Sequence, residues 1–410
     1  MTPVAAAWFA VPFFLLPGFL FNLIAGAKGP RALAAALPVS FGIFGMSAWV
    51  WGLTSAPLDL WTLGVSLVVA FGAAAVWRYA FARKARRGGA VTWRRALFPG
   101  NWRKGSLLDL YWLLPTAGVV VGAWLLISER LGWLVRSPHG VYNIVQGWDV
   151  QWHANLVRFI MDEGIASPTR LGELQNVETH AQLLYPSAFH TGIAMFGKVA
   201  GLDPIPTLNI GMIVLTGLAL PATAACMAFA FLRSRGLTAQ IAGGLAAILV
   251  TVAPQLIWVG DYVGMWPYLF AMSLTGMVIW QFVRVPAERI TALPALVGLL
   301  GVLTAHPAAV TVVVIGVGLY WLTSTLVAPE RGRISDTLWL AAPGIIGAVL
   351  YLPQVFAGSA QAEEVSGWKP VESEDLDSGW AAAFTMGTRH VHQLFPGFDP
   401  TVLLLSLIHI

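Results

Sequence analysis

Apolar runs of roughly twenty residues recur along this chain, the length an α-helix needs to cross a hydrocarbon layer of about 30 Å. Within lipid each backbone N–H and C=O has to be satisfied inside its own segment, so runs of this kind fold as helices. The runs place complete spans at Val4–Ala27, Ala32–Leu53, Leu58–Trp77, Leu107–Ile127, Pro206–Leu232, Ala239–Val259, Val263–Val283, Ile290–Ala305, Ala308–Leu326 and Leu338–Phe356, and an eleventh begins near Thr401. The expected fold is therefore all-α, a polytopic transmembrane helical protein of about ten or eleven spans. Composition points the same way, with 57% of 410 residues hydrophobic and 11% charged and a mean hydropathy of +0.71. The single Cys226 lies in an apolar run, which excludes disulfides and Cys-based metal sites. Met1–Ala27 has no basic leading stretch and reads as a retained helix, not a cleaved signal peptide.

Charge sets the expected orientation. Between Arg78 and Lys104 lie Arg83, Lys84, Arg86, Arg87, Arg94, Arg95 and Arg103 with no acidic residue among them, so this loop is expected in the cytoplasm. Lys28/Arg31, Arg233/Arg235, Arg284/Arg289 and Arg331/Arg333 fall in the other inner loops. Because the basic residues gather in such loops, the net charge of +4 does not indicate nucleic-acid binding. The parity closes only if Leu183–Val199 is a helix lying on or dipping into the outer surface. The N-terminus, Ser128–Ile205 and Ala357–Pro400 then face outward; the abundance of Ala, Gly and Trp suggests a GC-rich bacterial genome, and the expected location is the bacterial plasma membrane. Long outer connections between helices are usually functional. Gly358–Ser378, with Glu363, Glu364, Glu372, Glu374, Asp375 and Asp377, is either a lid or a disordered tract.

The outer stretches hold the candidate chemistry. Asp149 and His153 stand four apart, and apolar Val150, Ala154, Val157 and Ile160 follow at helical spacing, so both belong to an amphipathic interfacial helix. Either Asp149 caps that helix and His153 is simply solvated, or Asp149 acts as a general base or metal ligand facing a lipid-borne substrate. Tyr185-Pro186 opens a further helix with His190 one turn inside it. Asp261 sits in a tight outer turn and His306 in another, before Pro307; each is either a turn or cap residue or part of a substrate site. Arg389, with His390 and His392, could fork onto a phosphate or neutralise lipid headgroups. Intramembrane carboxylates are nearly absent, which argues against an ion-coupled transporter.

The run Asp149, His153, Tyr185-Pro186 and His190 in a long outer loop resembles the GT-C superfamily of integral membrane glycosyltransferases, over roughly residues 107 to 404. More narrowly, it is similar to a family of actinobacterial multispan membrane proteins to which no activity is attached. The resemblance implies a GT-C-like membrane core with outer loops 128–205 and 357–400, preceded by three additional spans in residues 1–106. It also implies transfer of a sugar from a polyprenyl-phosphate donor to an envelope glycan or glycolipid acceptor on the outer face. Asp149 and His153 would be catalytic, and Tyr185, His190, Asp261, His306 and Arg389 substrate-binding. No Asp-x-Asp or paired Asp-Glu flanks Asp149, so a divalent metal is not required. A transporter or flippase for lipid-linked glycans, or a non-catalytic envelope scaffold, are the competing classes. Leu405–Ile410 resembles the in-frame translation of a sequencing adapter, so the natural chain is expected to continue; the source DNA read through these codons would settle that.

Overall fold

A computed structural model describes residues 1–54, 56–87, 112–144, 147, 149–174, 184–232, 236–253 and 257–357. These residues form helices and their connections, with no strand among them. The chain is an all-α, multi-pass membrane protein. Seven helices are long and apolar enough to cross a membrane: Pro3–Ala25 (α1), Ala36–Leu53 (α3), Leu60–Lys84 within Leu60–Arg87 (α4), Leu113–Arg136 (α5), Pro204–Leu232 (α8), Pro307–Thr325 around Val310–Tyr320 (α13), and Arg333–Ala357 (α14). Gly29–Ala34 (α2) leads into α3. The remaining long elements are Val150–Glu163 (α6), Ala188–Ala200 (α7), Leu237–Leu249 (α9), Trp266–Phe282 (α11) and Ala292–Ala305 (α12), and Trp258–Tyr262 (α10) is a single short turn.

Three expected spans are shorter than the sequence pattern suggested. The one expected to run to Val259 leaves the helix at Ala253, just before Pro254, a residue that disfavours helix in its predecessor. The next starts only at Trp266, with Pro267 in its first turn. The third is the fourteen-residue α12, buried along most of its length. Others are longer. Helix α4 continues to Arg87, into what was expected to be loop, and Arg78 there donates to the Leu23 carbonyl. Helix α5 continues past Ile127 to Arg136.

Small residues bring the helices together, as expected where burial from water drives association only weakly. Gly42 of α3 and Gly301 of α12 lie so close to Val297 and Pro38 that a Cβ on either would meet a backbone carbonyl. Gly118 and Gly122 of α5 stand in the same way against Gly244 and Ala247. An aromatic cluster ties α1, α3, α7 and α11 together, with Phe41 edge-on to Phe270 at 4.4 Å between ring centres. Helix α7 is enclosed by this bundle instead of being laid over it: every residue from Ala188 to Gly197 is buried.

The two ends of the bundle differ in chemistry. At one end Arg31 Nη1 donates to both carboxylate oxygens of Glu288 at 2.7 and 2.9 Å, Arg284 joins the same carboxylate at 2.6 Å, and Trp77 donates to the Ile290 carbonyl. The opposite end carries α6, the start of α7, the turns around Asp261 and His306, and a clamp in which the Leu58 N–H bonds the Gly164 carbonyl at 2.7 Å.

Candidate functional site

The amphipathic pattern of α6 becomes a buried stripe of Val150, His153, Ala154, Val157 and Ile160, with Gln151, Asn155, Arg158 and Asp162 on the other side. The helix lies against α7 and α8, and the stripe turns His153 into the protein. Asp149 occupies the N-cap position, but its side chain makes no capping hydrogen bond. Asp149 itself is exposed to solvent, but the partial desolvation it does undergo raises its proton affinity above that of an ordinary aspartate.

His153 and His190 are both fully enclosed and joined ring to ring. His153 Nε2 lies 3.1 Å from the Gly264 carbonyl, and His153 Nδ1 lies 3.1 Å from His190 Nε2. A carbonyl oxygen only accepts, so His153 Nε2 carries a proton and, in the neutral ring, Nδ1 is the acceptor. His190 Nε2 therefore donates to it, and in the neutral ring this leaves His190 Nδ1 unprotonated, with no hydrogen-bond partner among the described residues. Burial pushes His153 down to about 4, against the pull of the Gly264 carbonyl, and His190 well below its usual value.

Tyr185 completes the group. Its ring centre is 5.6 Å from that of His190, and Trp152 meets it edge-on at 5.7 Å. Burial raises the phenol, and the nearby Asp149 charge raises it further. His306 ends α12 in extended conformation, edge-on to Tyr268 at 5.3 Å. Its Nδ1 has no hydrogen-bond partner among the described residues. Burial lowers its basicity, and its charge would lower that of His153. The structure thus brings Asp149, His153, Tyr185 and His190 into one group with His306 at its edge.

Asp261 is engaged differently. Arg130 holds its carboxylate in a two-pronged ion pair, Nε to Oδ2 at 2.9 Å and Nη2 to Oδ1, while Nη1 donates to Thr216. The Arg130 side chain is 6% exposed and that of Asp261 20%, so this is an anchored pair and not a free carboxylate at a turn. The loop from Asp261 to Trp266 links the pair to the histidines. Gly264 supplies the carbonyl to His153, and Trp266 stacks on the His153 ring at 6.3 Å while its indole N–H bonds the Asp261 carbonyl. A cavity of about 290 Å³ opens beside Arg130, Asp261 and Trp266; Asp149 is not among its lining residues. Sequence reasoning missed Arg130, Gly264 and Trp266. An arginine one turn beyond an apolar run was the available signal, since a cation there needs a partner. Arg389 lies outside the described residues, as do the adapter-like tail, the eleventh span and most of the late outer loop. Among the described residues no group of three or more His, Cys, Asp or Glu side chains is arranged to hold a metal ion.

The buried imidazoles make a prediction about pH. A histidine with a depressed folded value binds fewer protons than the unfolded chain between about 4 and 6.5, so stability is present above that window and is lost as pH falls through it. His153 alone contributes a loss of about 3 kcal/mol by pH 4 at about 1.4 kcal/mol per unit. Thermal midpoints in lipid nanodiscs should fall steadily from pH 7 to pH 4, less steeply for His153→Gln. A wild-type midpoint that stays level, or an unchanged slope in the variant, would show that the rings are not neutral and enclosed.

No curated protein and no solved structure matches the chain. The model of a family of unknown function, DUF6541, matches residues 11–408, and the chain belongs to that family.

Proposed function

We propose that this chain is a glycosyltransferase-like enzyme of the bacterial plasma membrane. It takes a sugar from a polyprenyl-phosphate donor and passes it to an envelope glycan or glycolipid on the outer face, where the N-terminus also lies. The observation that carries this reading is Asp149, a solvent-accessible carboxylate of raised proton affinity whose charge acts on Tyr185, next to the paired histidines. It stands at the end of the bundle away from the arginine-rich contacts at Glu288. The resemblance of Asp149, Tyr185-Pro186 and His190 to the GT-C pattern supports the same assignment.

In this reading Asp149 takes the proton of the acceptor hydroxyl as its oxygen bonds to the anomeric carbon. The bond from that carbon to the phosphate oxygen breaks, and its electron pair leaves with the lipid phosphate. Tyr185, Trp152 and the histidine pair hold the surroundings of the carboxylate in one geometry, so little reorganisation is needed at the moment of transfer.

Asp149→Asn keeps the shape and removes the base. With protein levels normal, the envelope glycan or lipid-linked sugar made by the enzyme should fall at least about 100-fold, the usual range for loss of a general base. The pH profile of the wild type should rise above the ordinary aspartate value, because partial desolvation raises Asp149. An unchanged glycan profile in Asp149→Asn cells would remove the assignment.

A further inference from the structure

We infer that the cavity next to the Arg130–Asp261 pair is a binding site in its own right, and that it takes a neutral, hydroxyl-rich sugar ring. Its walls include Glu129, Arg130, Trp133, Trp258, Asp261 and Tyr262, and at about 290 Å³ it is of the size of a small-ligand pocket. Aromatic faces and polar groups are interleaved there, and two indoles are fixed by hydrogen bonds. Trp258 donates to the Thr251 carbonyl at 3.2 Å, and Trp266 donates to the Asp261 carbonyl at 3.1 Å. Rings held in this way lose little freedom when a ligand settles on them.

The polar groups select the ligand. Arg130, nine-tenths buried, spends three of its five N–H donors on Asp261 and Thr216 and keeps the rest. Glu129 lines the same space, is exposed, and forms no ion pair among the described residues. The charges of these three residues leave the cavity negative by one, so it offers an anion such as phosphate no net attraction. A quaternary ammonium would be drawn by the carboxylates but could use none of the arginine donors and would be repelled by their charge. A sugar hydroxyl both donates and accepts, which suits a guanidinium and a carboxylate set side by side, while the ring's C–H face lies on an indole.

This site rests on its own lining and not on the transfer reaction, and binding is its readout. The full chain in phospholipid nanodiscs would be titrated with the methyl glycosides of glucose, mannose and galactose and followed by saturation-transfer NMR. At least one glycoside should bind saturably, and Trp133→Ala and Glu129→Gln should each weaken it at least tenfold. Both side chains are exposed, so matched thermal midpoints serve to show an intact fold. Asp149→Asn should bind the glycoside as the wild type does, which separates this inference from the assignment of the base. The proposal is overturned if no glycoside saturates, if both variants bind undiminished, or if tetramethylammonium or inorganic phosphate displaces the glycoside.

Discussion

Gly301→Ala should destabilise the protein by about 3 kcal/mol or more, at the upper end of what an overpacked interior costs. In an exposed helix the same change is favourable by about 1 kcal/mol, because glycine gives up more backbone freedom on folding. The sign is therefore decided by the contact. A Cβ at Gly301 would meet the Pro38 carbonyl and, at 2.9 Å, the backbone nitrogen of Gly42. Neither neighbour has a rotamer to move, so α3 and α12 have to separate. Gly72 of α4 is the matched comparison, since a Cβ there has nothing within 4 Å. Thermal unfolding in nanodiscs should place Gly301→Ala well below the wild type and Gly72→Ala at or slightly above it. Equal midpoints for the two variants would mean that α3 and α12 do not pack backbone to backbone.

Asp261→Ala should cost about 3 kcal/mol, the low end for breaking a buried ion pair, since Asp261 keeps some contact with solvent. The loss comes from Arg130, whose charge is left enclosed with Thr216 as its remaining hydrogen-bond partner among the described residues. Replacing both members, Arg130→Met with Asp261→Leu, should recover most of that loss, because the pair's mutual attraction only roughly offsets the desolvation of both charges. Chemical denaturation of the two variants measures the difference directly. A double variant no more stable than Asp261→Ala alone would show that the pair holds the loop by something other than charge compensation.

Some of this architecture could be read from the residues alone. Apolar length marked the helices because the bilayer demands it, and the spacing of Val150, Ala154, Val157 and Ile160 marked the face of α6 that is covered, but not that His153 would be buried on it. The proximity of His153 to His190 and Tyr185 was hinted at by their shared outer stretch. The partner of Asp261 was not legible, because Arg130 lies 131 residues away and its helix appeared to end before it. Chain separation of that kind leaves no periodic trace. Glycine contacts such as Gly42 with Val297 were equally hidden, since a glycine in an apolar run looks the same whether it faces lipid or another backbone. The depth of α7 could not be read either: His190, Thr191 and Lys198 gather on one side of Ala188–Ala200, the pattern of a surface helix, yet His190 and Thr191 are buried.

The histidine pair has one more consequence. Each of its hydrogen bonds points the same way, from His190 through His153 to the Gly264 carbonyl, so the bond dipoles add along the line. The carbonyl end holds no proton to send back, which gives the line a fixed polarity. Electron density is pushed toward the far terminus, so the His190 ring is the more polarised of the two.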